Sequence, residues 1–229
     1  MRRVVPGEYS SASSSYSYSS SPTYQSTKST FSLNISKQGR NVVILILSGL
    51  LIGFVSSLFL VNGIPALYYL VQENVFVFQG WIVPLVTSII VAPPTIIGLE
   101  DVVFNAIALV FVDRLLSSAF TGRQYYFVFL ASGIFGNILT LLNGIQYGSF
   151  GASGGIFGLL AGAVAFSYAV SKKLNYSLVM WFLIWFFLSS FASTGVNWVA
   201  HVGGALLGLV LGYYFGIRRV RYSPHVRSY

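Results

Sequence analysis

Two glycine-bounded segments hold the residues best suited to chemistry: Ser153 within Gly151-Ala152-Ser153-Gly154-Gly155, and His201 within Ala200-His201-Val202-Gly203-Gly204. A serine hydroxyl is a poor nucleophile at neutral pH, and an imidazole that takes its proton is the usual remedy. His201 is the one histidine inside an apolar segment, since His225 lies in a basic tail. An intramembrane imidazole is costly to keep and marks function by default. With Ser153 near a helix start, backbone N–H groups from Gly151 onward are free to stabilise a developing oxyanion. Together these residues suggest hydrolysis inside a membrane.

Positioning the pair falls to the helices that carry it. Gly154, Gly158 and Gly162 recur every four residues in one span, and Gly204, Gly208 and Gly212 do so in another. Each set forms a smooth stripe, and such stripes let helix backbones approach closely enough for van der Waals packing to hold them together in lipid. Glycine stripes also occur in helices with no chemistry, so the functional reading rests on where the two reactive residues sit. Ser153 and His201 each lie within about one helical turn of the same end of their spans, which predicts equal depth and mutual reach.

With 229 residues, 55% of them hydrophobic and only 8% charged, the chain has too few charges to solvate a water-soluble domain. Apolar runs at about 41–61, 102–119, 125–143, 152–171, 177–193 and 198–217 predict an all-α membrane protein of six transmembrane helices. The net charge of +8 does not imply nucleic acid. With both termini in the cytoplasm, all thirteen basic residues fall on the cytoplasmic side, leaving Glu73, Glu100 and Asp101 on outer loops. The stretch from Val75 to Thr95 is apolar enough for a seventh span, but Pro84 and Pro93-Pro94 interrupt it. It is expected to be a membrane-associated first outer loop, with Trp81 at the interface. Zero cysteines exclude thiol catalysis and disulfides, and nothing in the motifs calls for a metal, nucleotide or other cofactor. The expected organisation is a disordered Ser/Tyr-rich cytoplasmic tail over 1–40, a membrane domain over 41–217 and a basic cytoplasmic tail over 218–229.

In Gly151-Ala152-Ser153-Gly154 on the fourth span and Ala200-His201 followed by Gly204 and Gly208 on the sixth, the chain resembles the rhomboid intramembrane serine proteases. The resemblance covers about 41–217 and implies a rhomboid-like bundle with a Ser–His dyad: Ser153 as nucleophile, His201 as general base and then general acid. It also implies that Asn105 helps form the oxyanion hole, that Gly151 belongs to the oxyanion or substrate-binding region, and that Phe157 packs on the catalytic imidazole. Asp101 stands where the family often has His. A carboxylate beside a developing oxyanion is repulsive unless it is protonated or turned away. The frequent Trp-Arg of the first loop is Trp81-Ile82 here, and the acidic residue of the second span is replaced near Ser117, with Asp113 and Arg114 close by as substitutes.

The resemblance implies single-span membrane proteins as substrates, cut near the outer membrane boundary; the expected location is the cell membrane, with a multi-pass chain whose termini, by the charge distribution, are both cytoplasmic. The lipid bilayer is then a partner and nucleic acid is not. A rhomboid-like module that captures transmembrane helices without cutting them is the alternative, although family pseudoenzymes usually lose the serine or the histidine. A transporter would place charges along a central path, and the spans are nearly free of them.

Overall fold

The computed structural model describes residues 35–192 and 196–222. In chain order the helices are α1 (Lys37–Ser57), α2 (Asn74–Phe78), α3 (Pro84–Thr87), α4 (Ile96–Ala119), α5 (Gly122–Thr140), α6 (Ser153–Ser171), α7 (Tyr176–Ala192) and α8 (Trp198–Tyr222). Two antiparallel ladders of two residues per strand join the loops, β1 (Leu60–Val61) to β2 (Ile64–Pro65) and β3 (Gln72–Glu73) to β4 (Gly148–Ser149). Four helical segments, Lys37–Ser57, Gly122–Asn143, Ser153–Ser171 and Trp198–Tyr222, are long and apolar enough to cross a membrane. α4 has 24 residues but carries Glu100, Asp101, Asp113 and Arg114, and the apolar part of α7 is the shorter Tyr176–Ser189. The protein is a mostly helical integral membrane protein.

Helix boundaries depart from those expected, for local reasons. α1 starts at Lys37 rather than 41 because Ser36 caps it, its hydroxyl accepting from Gly39 N at 3.0 Å. α4 starts at Ile96 rather than 102, because Pro93-Pro94 ends the preceding segment and the Thr95 hydroxyl accepts from Gly98 N at 3.2 Å. Glu100 and Asp101 therefore stand on a helix, not on a loop. α8 continues through Arg218, Arg219 and Arg221 to Tyr222, so the basic segment begins inside a helix. The rest of the two expected tails, 1–34 and 223–229, lies outside the described residues.

At the centre stands α6, with 72% of its spanning window buried against 28% for α1. A helix apolar all round is built for that position. Its glycine stripe meets the stripe of α8 in register. A Cβ at Gly204, Gly208 or Gly212 would collide with the carbonyl oxygen of Gly154, Gly158 or Gly162 respectively. On another side, a Cβ at Gly155 would come within 2.7 Å of Phe129 on α5.

The stretch after Pro84 does more than line a membrane surface. Ser88, Ile89, Val91 and Ala92 are all buried. Gly49 and Gly53 on α1 leave room for the carbonyls of Ile90 and Ala92, and Ile89 fills the space beside Gly133 on α5. Within this stretch residues 88–92 are packed between helices.

Candidate active site

Ser153 is the first residue of α6, and His201 lies in the first turn of α8. The Gly154–Gly204 contact fixes the register of the two helices one residue after the serine and three after the histidine. The outcome is a Ser153 Oγ to His201 Nε2 distance of 2.8 Å. When the imidazole proton is on Nδ1, the hydroxyl donates to Nε2, the arrangement that general-base activation needs. Among the described residues His201 Nδ1 has no hydrogen-bond partner, so no carboxylate orients the ring. Packing does so instead: Phe157, one turn after Ser153, meets His201 with ring centroids 4.7 Å apart at 48°. The Ala200 carbonyl sits over Gly136 of α5, where any side chain would intrude.

Ser153, His201, Asn105, Gly151 and Phe157 all line one cavity of about 620 Å³. Ser153 is partly exposed to it, while Asn105 and His201 are 4% and 5% exposed. Phe104 and Trp185, edge to face at 5.2 Å, give the cavity an apolar wall between α4 and α7. The side chain of the helix-preceding residue Ala152 offers no cap to the first N–H groups of α6. The first intrahelical bond in that turn, Ile156 N to Ala152 O at 3.0 Å, leaves the N–H groups of Ser153, Gly154 and Gly155 without helical partners beside the reactive hydroxyl.

Gly151 requires a correction. Its N–H donates to Ser88 O at 2.8 Å, so it is not among the free donors. Its contribution is conformational: φ is +110°, a region glycine tolerates and other residues rarely adopt. A Cβ there would come within 2.6 Å of Asp101 Oδ2. Asp101 is therefore not turned away. It lines the cavity one helical turn from Asn105.

The first loop is anchored by residues that the motif search did not single out. Gln72 Nε2 donates to Asn74 Oδ1 at 2.8 Å and to Asn137 O at 2.9 Å. Asn74 Nδ2 donates to the carbonyls of Thr140 and Gly144 at 3.0 and 2.8 Å, and Asn137 Nδ2 to Leu85 O and Ser88 Oγ at 3.0 and 2.9 Å. Asn197 Nδ2 extends the chain to Thr140 Oγ1 at 2.7 Å, reaching the start of α8. Trp81 Nε1 donates to Tyr69 O at 2.9 Å. The available signal was amides in otherwise apolar surroundings, which need partners when buried.

At the other end of α4, Asp113 is fully buried and accepts from Ser36 N at 2.5 Å, Ser36 Oγ at 2.9 Å and Tyr125 Oη at 3.0 Å. It ties α1, α4 and α5 together, while the Ser117 hydroxyl donates to Arg114 O.

A family model, the Rhomboid domain, matches residues 83–218. The chain belongs to the rhomboid family. The matched region runs from the first loop into α8 and contains Asn105, Gly151, Ser153, Phe157 and His201. No individually curated protein matches this rhomboid chain.

Proposed function

We propose that this rhomboid is an intramembrane serine endopeptidase that hydrolyses peptide bonds in or near transmembrane helices of single-span membrane proteins. The observation that supports the reading best is the 2.8 Å contact between Ser153 Oγ and His201 Nε2 at a cavity. Ser153 Oγ attacks the scissile carbonyl as its proton passes to His201 Nε2. The carbonyl electron pair moves onto oxygen, where the Asn105 amide and the N–H groups at the start of α6 oppose the new charge. Collapse expels the amine, which takes the proton from His201, and water repeats the sequence to release the acyl group. A membrane helix protects its own peptide bonds by internal hydrogen bonding, so the substrate must unwind locally at the cavity.

In this reading six helices span the membrane of the cell, both termini are cytoplasmic, and the dyad lies near the outer boundary. The basic residues at Lys37, Arg40, Arg218, Arg219 and Arg221, grouped at the α1 start and α8 end, favour that orientation. Incubating the purified protein in detergent with a generic single-span substrate, alongside Ser153→Ala, tests it. Cleavage by the wild-type protein alone is expected. A folded wild-type protein that leaves the substrate intact across pH would instead favour a module that captures helices without cutting them.

A further inference from the structure

Charge is segregated around the cavity. The chain has thirteen basic and five acidic residues. Three of the five, Glu73 on β3 and Glu100 and Asp101 on α4, line the cavity that holds Ser153, and among the described residues no lysine or arginine does. Among the described residues none of the three has an ion-pair partner. The pairing of β3 with β4 holds Glu73 beside Gly148, three residues before Gly151, so that a Cβ at Gly148 would stand 3.2 Å from Glu73 Oε2. An independent observation points the same way. Gln72 lines the cavity and is fully buried, its Nε2 is committed to Asn74 and Asn137, and its Oε1 has no partner.

The side chains at this end thus offer negative charge and an unused acceptor, with no cation to balance them. A carboxylate partly buried at a cavity loses hydration, and a bound cation offsets that cost. The same charges act against an acidic side chain, which gives selectivity through repulsion as well as attraction. A lysine or arginine side chain is of a size the 620 Å³ cavity accommodates beside a peptide backbone.

We propose that the site takes transmembrane helices carrying a lysine or arginine beside the segment presented to Ser153, with Glu73 and Glu100 as the specificity-determining residues. Cutting such helices rests on the protease reading above; capturing them does not.

The test uses full-length Ser153→Ala protein in detergent and three labelled single-span peptides, identical except for Lys, Gln or Glu at the flank that meets the cavity. The Lys peptide is expected to bind about two- to fivefold more tightly than the Gln peptide, as a partly exposed ion pair allows, and the Glu peptide more weakly than either. Adding Glu73→Gln and Glu100→Gln together should bring the Lys-to-Gln ratio close to one. Equal binding of the Lys and Gln peptides, or a preference that survives both substitutions, overturns the proposal. The peptide series alone keeps it testable if the double substitution does not fold. Wild-type protein with the same peptides separates the two readings. Cleavage of the Gln peptide with no advantage for Lys sinks the specificity and leaves the protease; selective Lys binding without any cleavage sinks the protease and leaves the capture.

Discussion

α4 carries an aspartate near each end, and the two are used in opposite ways. Asp113 is fully buried, and its oxygens accept from a backbone N–H, a serine hydroxyl and a tyrosine hydroxyl on the neighbouring segments. Asp101 faces a cavity, lies against Gly151, and shares its surroundings with groups that lack partners, Gln72 Oε1 and His201 Nδ1 among them. A buried polar group is stabilising only when its hydrogen bonds are made. At the Asp113 end they are made within the protein, and the result is a clamp on three helices. At the dyad end some are left open, and we read that as capacity kept for a substrate.

The comparison breaks most sharply at the dyad. Ser153→Ala and His201→Ala should each lower cleavage by about 10³-fold or more, and the double variant by no more than either alone, because the two act as a unit. Thermal melting should stay near wild type for the serine variant, which is nearly isosteric. Asn105→Ala should cost about 10²–10³-fold in kcat, the usual loss for one oxyanion donor; an unchanged kcat would reduce Asn105 to a packing residue.

At the opposite end the readout is stability. Asp113→Ala leaves Ser36 and Tyr125 donors without acceptors and should cost about 2–3 kcal/mol, seen as a lower Tm with cleavage per folded molecule retained. Asp113→Asn, which keeps an acceptor, should recover part of that loss. Gly208→Leu lies between the two ends, where its side chain would meet the Gly158 carbonyl. Overpacking of this kind costs about 1–3 kcal/mol, and cleavage should fall with it because the same register sets the Ser153–His201 distance.

The smallest effect concerns pH. Burial pushes the Glu73 carboxyl above its ordinary range. An acid with a raised pKa loses its charge earlier as pH falls, so the Lys-over-Gln preference should begin to fade at milder acidity than an exposed glutamate would give. Glu100, Asp101 and His201 are the other titratable groups lining the cavity. Glu73→Gln should remove Glu73's share of this fading. A preference constant from neutral to mildly acidic pH would show that Glu73 does not contribute.

The contact between Ser153 and His201 was legible in the sequence because it depends on counting. Glycines four residues apart on two helices leave few registers, and the reactive residues sit at fixed offsets from them. The helix starts were less legible, since hydropathy marks where lipid contact begins and not where hydrogen bonding does. Lys37 to Arg40 and Glu100 to Asp101 are polar yet helical, and the signals were the caps Ser36 and Thr95. The tether made by Gln72, Asn74 and Asn137 was hidden for another reason. Its partners lie more than sixty residues apart in three of its bonds, Gln72 to Asn137 and Asn74 to Thr140 and Gly144, and no local pattern encodes such a pairing. The burial of residues 88–92 was likewise invisible, because it depends on the space left by Gly49, Gly53 and Gly133 on other helices.

The most direct test of the account is covalent labelling of Ser153 by a fluorophosphonate, which forms an Oγ–P bond, expels fluoride and needs a base to take the hydroxyl proton. The account predicts modification at Ser153 in the wild-type protein, mapped by mass spectrometry, and a large drop in labelling rate in folded His201→Ala. Labelling that proceeds equally fast without His201, or that falls on another residue, would contradict it.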